Sequence, residues 1–142
     1  MNKRHGERGQ ALVWVVVFMP VFLAIIGLAL DAGIVFDREQ GLWRLARSAA
    51  RMGAEQIDVA AYRAGSGEPV LDPVAARAAA LAYVTRQGGG VSANVTANRQ
   101  AVVVHLHEDV PLDFLRIVHL DSAPIAATGV ARIAAGVATG AP

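Results

Sequence analysis

Hydrophobic positions form an unbroken run near the start of this 142-residue chain and take up helical and then alternating spacings farther along. The run covers residues 11–30 and contains no charged side chain. About twenty apolar residues are what a helix needs to cross a hydrocarbon core of about 30 Å. The pattern predicts a transmembrane helix over 11–30 after a basic tail over 1–10. The run is longer than a signal-peptide core, and Asp31 interrupts the region of a small-residue cleavage site, so a retained anchor is predicted.

Beyond the run, apolar residues recur at three- and four-residue spacing, which is typical of an amphipathic helix. Val35, Leu42, Leu45 and Ala49 follow this spacing, and no proline occurs between Pro20 and Pro69. A single helix is therefore predicted to continue to about Ala61. Residues 31–63 become an extracytoplasmic helical stem in this interpretation.

Residues 64–133 carry the signals of a small α+β domain. Asp72 and Pro73 suit the N-cap and first turn of a helix that runs to Gln87, and three glycines follow it. Alternating apolar and polar residues then predict three strands. They cover 91–97, 101–106 and 125–133, with a two-residue turn at Asn98 and Arg99 and a brief helical turn at 114–118.

The predicted fold class is accordingly α+β. A long N-terminal transmembrane helix continues as a stem, and one short helix packs on a three-stranded antiparallel sheet. Residues 134–142 are small and are predicted to form a flexible tail.

Charge is placed unevenly, although the chain as a whole has a net charge of only +1. Lys3, Arg4 and Arg8 precede the apolar run, which predicts a cytoplasmic N-terminus and an extracytoplasmic C-terminal domain. The nearly neutral remainder gives no reason to expect a nucleic-acid partner. The chain has no cysteine, which excludes disulfides, thiol catalysis and cysteine metal sites.

Small residues and a proline inside the apolar run predict how this helix meets its neighbours. Pro20 removes one backbone hydrogen bond and should kink the helix. Ala24, Gly27 and Gly33 leave surfaces on which another helix can approach closely. These four positions are the predicted helix-packing and kink sites.

Three fragments together resemble the TadE/TadG-like proteins of the Flp (tight adherence) pilus assembly system. They are Arg8–Val13 (RGQALV), Gly27–Gly33 (GLALDAG) and the alanine-rich Arg44–Glu55. The ending Val110–Val118 (VPLDFLRIV) followed by a strand is similar to that family more loosely.

The resemblance implies a pilin-like or pseudopilin component of the pilus, placed in the bacterial inner membrane. It implies a structural role through contacts with the bilayer and with other pilus assembly proteins or pilin-like subunits, without catalysis, cofactor, metal or small-molecule substrate. Some members are cut by a prepilin peptidase, and that cut corresponds to Gly9–Gln10 here. Trp14 stands where pilin-like members commonly carry a glutamate, which makes the chain more similar to the TadG-type branch.

Two other functions are compatible with the residues. A membrane-tethered binding module or adhesin accessory would carry a concave pocket in its outer domain. A membrane-anchored hydrolase or a zinc site would use His105 and His107, which lie two apart on one face of a predicted strand. The helical spacing of Arg44, Arg47 and Arg51 forms a basic stripe for solvent, lipid headgroups or an acidic partner.

Overall fold

The computed structural model describes residues 6–65 and 69–133, with side chains from residue 12 onward inside the first helix. The basic residues Lys3 and Arg4 and the predicted tail over 134–142 lie outside the described residues, as does the side chain of Arg8.

The described residues form an α+β fold with the predicted three-stranded antiparallel sheet, in the spatial order β1-β2-β3. The elements in chain order are α1 (Gly6–Ala54), α2 (Val59–Arg63), α3 (Pro73–Gln87), β1 (Ser92–Ala97), β2 (Ala101–Pro111), a 3₁₀ helix (Leu115–Val118) and β3 (Ser122–Arg132).

The long helix ends at Ala54, earlier than the predicted Ala61. Asp58 caps a separate helix, α2, because its side chain accepts a hydrogen bond from Ala61 N at 2.9 Å. Ile57 forms a β-bridge with Leu71, so this stretch of backbone pairs with residues distant in sequence. Long-range pairing and a good N-cap here override the helical spacing of apolar residues.

Helix α3 begins as the sequence predicts. Asp72 is the N-cap and accepts from Val74 N at 2.9 Å and from Ala75 N at 3.1 Å, with Pro73 in the first turn. The helix packs against β1 and buries Ala76, Ala80 and Val84. The predicted packing of a short helix on the sheet is therefore confirmed.

The hairpin β1–β2 pairs Val95 with Val104 and places alternate valines in the core. Its connection spans the three residues 98–100, so the two-residue turn predicted at Asn98 and Arg99 was one residue too short. The Asn98 side chain accepts from the N–H groups of Gln100 and Ala101, both at 2.8 Å, and stabilises the longer turn.

Strands β2 and β3 are longer than predicted at one end. Strand β2 continues past Leu106 to Pro111, with Val110 buried, and β3 begins at Ser122, before Ile125. The strand was predicted to end at Leu106 because the residues between Leu106 and Val110 are polar. They nevertheless preserve the inward and outward alternation of a strand.

The chain divides into two compact units, one with residues 37–109 and 124–133 and one with residues 6–36 and 110–123. In the first unit, Gly129 lies so close to the backbone of Ala46 that a Cβ would overlap it. Gly53 similarly contacts Ala76 and Val102. The second half of α1 therefore packs closely on the sheet and on α3 through glycines.

Candidate functional site around Asp31

Asp31 is a fully buried charged side chain in the unit formed by 6–36 and 110–123. One carboxylate oxygen accepts from Asp113 N at 3.2 Å. The other accepts from Phe114 N at 3.0 Å and Leu115 N at 2.8 Å. Three hydrogen bonds from backbone N–H groups offset the cost of removing this carboxylate from water.

The three N–H groups lie at the start of the 3₁₀ helix, which has no side-chain cap of its own. Helix starts leave such donors unpaired, so Asp31 takes the part of an N-cap residue from more than 80 positions away. Sequence reasoning gave Asp31 only the role of ending the apolar run. Local sequence patterns do not indicate this role, because the carboxylate and its donors are more than 80 positions apart.

Gly27 lies one turn before Asp31 on α1 and is buried against the Phe114 ring. A Cβ at Gly27 would stand 2.9 Å from two ring carbons, so a larger residue here would displace the ring. The predicted close-approach surface at Gly27 is thus occupied by a segment of the same chain.

Gly33 lies on a different side of the helix. At 100° per residue it is about 200° around the axis from Asp31, and a Cβ added at Gly33 would have no neighbouring atom within 4 Å. Ala24 shares the side of Gly27 and Asp31, whereas Ile26 shares the side of Gly33. Small residues on α1 therefore serve two surfaces, of which one is filled within the chain and the other is open.

The first part of α1 is apolar and exposed along its length. Among the described residues, one helix is long and apolar enough to cross a membrane, and only 6% of its most apolar stretch is buried within the protein. Trp14 and Phe18 stack with ring centroids 5.6 Å apart, and Phe22 lies one turn farther on. The helix continues through Pro20. An apolar helix that the protein itself does not cover fits a single-pass membrane anchor.

The Gly9–Gln10 peptide bond lies within the helical backbone of α1. Trp14 is 55% exposed and contacts another aromatic ring of the same helix. The position at which pilin-like proteins carry a charged glutamate is therefore part of an apolar, aromatic surface here.

His105 and His107 lie on β2, and each lies beside one polar side chain. His105 Nδ1 is 3.0 Å from Thr128 Oγ1, and His107 Nε2 is 3.8 Å from Asp109 Oδ1. Among the side chains that the structure describes, in residues 12–65 and 69–133, no cluster of three or more metal-ligating groups occurs. The two histidines make local polar contacts on the exposed face of the strand.

A groove of about 580 Å³ lies in the unit that contains the sheet. Its lining is mostly polar and includes Arg38 and Glu108, which form an ion pair at 3.7 Å. Arg44 of the basic stripe lines the groove, whereas Arg47 stacks over the Trp43 ring at 5.8 Å. Two residues of the basic stripe thus lie at a groove and at an aromatic ring, and the third, Arg51, is exposed.

Most of helix α1 matches a protein-family model. Residues 9–56 match the Tad family, described as "Putative Flp pilus-assembly TadE/G-like". The match covers about a third of the chain and includes nearly all of α1, with Gly27, Asp31 and Gly33. No curated protein and no solved structure matched the chain. The Tad match confirms the resemblance and supports a pilus-related role.

Proposed function

We propose that the chain is a membrane-anchored, pilin-like component of Tad/Flp pilus assembly that acts structurally through protein–protein contacts. The observation that carries the proposal is the coincidence of the Tad segment, 9–56, with an apolar helix that the protein leaves exposed. A family of pilus-assembly proteins and a membrane-spanning helix together favour work at the membrane where a pilus is built.

The contacts with partners use the open side of α1. Gly33 has no neighbour that would clash with a side chain, and the exposed Ile26 lies within about 20° of it around the helix. Small residues beside apolar ones are typical of helix–helix interfaces in membranes because they permit close backbone approach. The side with Gly27 is filled by Phe114, which leaves the Gly33 side for another pilus assembly helix.

The basic tail and the missing glutamate favour a permanent anchor. Lys3, Arg4 and Arg8 orient the N-terminus toward the cytoplasm, and Trp14 provides no buried charge for the N-terminal amine of a neighbouring subunit. We propose that the protein stays in the inner membrane with Gly9–Gln10 intact. The intact mass of the protein from membranes with and without a prepilin peptidase tests this point, since a cut removes nine residues.

A pair of photo-cross-linking variants tests the proposed function. The cross-linking amino acid replaces Ile26 on the open side or Leu28 about 140° from Gly33; their exposures of 55% and 51% are nearly equal. In cells that express the Tad system, we expect position 26 to yield an adduct with another Tad membrane protein and position 28 to yield little. The adduct should disappear in cells that lack the other Tad components. Equal adducts at both positions, or an adduct that persists without those components, would contradict the proposal.

The polar groove favours a second candidate, a membrane-tethered binding module. Arg44 is exposed and lines the groove, so Arg44→Glu should reverse local charge without disturbing the core. If pilus assembly depends on the open side of α1, then Arg44→Glu leaves piliation unchanged while Gly33→Leu abolishes it. The opposite result would favour the binding module.

A further inference from the structure

The segment 112–121 exposes an unusual amount of apolar surface for a short connection between strands. Phe114, Ile117, Val118 and Leu120 are 47%, 81%, 62% and 54% exposed, respectively. Single exposed apolar residues are ordinary, but a cluster of this kind is typical of an interaction site. These four side chains form the apolar tip of the segment.

The apolar tip is fastened to the predicted membrane span itself. Phe114 rests on Gly27, which lies three residues inside the end of the uncharged run at Leu30. Three residues of helix correspond to about 4.5 Å along the axis. The carboxylate of Asp31 holds the same segment directly after the run. If α1 crosses a membrane over 11–30, the apolar tip therefore lies at the depth of the lipid headgroups and the first acyl carbons.

The backbone of the segment is suited to this depth because most of its N–H groups have partners. Asp31 accepts from residues 113, 114 and 115, and Leu112 N donates to Asp121 O. Ile117 N, His119 N and Leu120 N donate to carbonyls within the segment. Unpaired backbone groups are costly in an apolar medium, so this pairing lowers the cost of contact with lipid.

The polar residues of the segment complete the pattern of an interfacial element. Arg116 and His119 alternate with the apolar tip, and a long basic side chain can reach the phosphate layer while its neighbours contact acyl chains. His119 adopts a left-handed conformation (φ 66°) that closes the 3₁₀ helix and returns the chain to β3.

We propose that the apolar tip inserts into the bilayer beside α1, in the leaflet at the C-terminal end of the span, as a second membrane contact. This inference rests on the membrane anchoring in the proposed function. The occupant is lipid, because the tip continues the exposed apolar surface of the helix that already faces lipid. The contact fixes the rotation of α1 and leaves its Gly33 side for partners.

Nitroxide labels at single cysteines test the insertion, and the absence of native cysteine makes the labelling specific. The variants are Ile117→Cys in the tip, Val74→Cys as a control with matched exposure (81% and 80%), and Ile25→Cys as a reference within the span. The full chain is reconstituted at one copy per phosphatidylcholine nanodisc. Collision rates are measured with oxygen, which concentrates in lipid, and with a water-soluble nickel chelate.

We expect position 117 to resemble position 25, with oxygen collisions exceeding nickel collisions, and position 74 to show the reverse. If position 117 resembles position 74 while position 25 reports lipid, the proposed insertion of the apolar tip is wrong. Membrane anchoring by α1 is then still supported. If position 25 itself reports water, the anchor and the proposed function fail. Protection of position 117 from both reagents in single-copy discs would mean burial within the protein and would also overturn the insertion.

Discussion

At the scale of single residues, the Asp31 carboxylate joins two distant parts of the chain. It is fully buried and accepts three backbone N–H groups at 2.8–3.2 Å. Hydrogen bonds to a charged group stabilise by about 1.5–3 kcal/mol each, and an abandoned buried donor costs a similar amount. The order of the apolar tip therefore depends on this one side chain.

Asp31→Ala should free the segment 112–121 without unfolding the sheet. Its three N–H donors lose their acceptor, and even about 1.4 kcal/mol of lost local stability speeds amide exchange tenfold. Hydrogen exchange of the full chain in micelles, read by mass spectrometry, should show at least that increase at residues 113–115. In Asp31→Asn the exchange rate at these residues should lie between those of the wild type and of Asp31→Ala, since an amide retains one acceptor oxygen.

Exchange at Val104 in the centre of the β1–β2 hairpin serves as the internal control and should not change. Unaltered exchange at 113–115 in Asp31→Ala would contradict the capping role. Faster exchange throughout the hairpin would mean that Asp31 stabilises the whole fold.

At the scale of elements, capping carboxylates set where helices begin. Asp72 begins α3, which buries three side chains, and Asp58 begins α2, which buries none. A cap contributes about 1 kcal/mol to the helix that it begins. A cap therefore raises the free energy of unfolding of the whole fold only if its helix packs on the core.

Asp72→Ala should lower the free energy of unfolding by about 1 kcal/mol, and Asp72→Ser should restore most of it. Denaturant unfolding of the full chain in micelles measures the change. The fluorescence of Trp43 reports it when Trp14 is replaced by Phe. Asp58→Ala is the matched control and should have a smaller effect, because α2 can fray alone. Equal losses for both variants would show that α2 contributes to the cooperative core.

At the scale of the whole molecule, the distribution of apolar surface divides the chain. Residues 12–36 and the apolar tip carry most of the exposed large hydrophobic side chains, whereas residues 37–109 carry few. This division favours lipid contact for one unit and water for the other. The basic tail before the run favours a cytoplasmic N-terminus.

Single-cysteine labelling in spheroplasts tests this topology. A membrane-impermeant maleimide should modify Val74→Cys from outside the inner membrane in spheroplasts, and Asn2→Cys only after lysis. In detergent the maleimide reaches both cysteines, which controls for differences in their intrinsic reactivity. Labelling of Asn2→Cys in intact spheroplasts would reverse the proposed orientation.

The amino-acid sequence alone determined the features that depend on local patterns. The uncharged run, the Asp72 and Pro73 helix start and the alternating valines predicted the apolar helix, α3 and the sheet. The Tad resemblance also came from contiguous fragments and agrees with the match over 9–56. Each of these signals lies within a few turns of helix or one strand, where neighbouring residues govern the conformation.

Tertiary structure decided the features that depend on residues far apart in sequence. The partner of Asp31 lies more than 80 positions away, and the end of α1 at Ala54 reflects pairing of Ile57 with Leu71. The filling of Gly27 by Phe114 likewise separates two surfaces that appear equivalent in the sequence. Such contacts are chosen by the free energy of burial and hydrogen bonding in the folded chain, which local spacing does not encode.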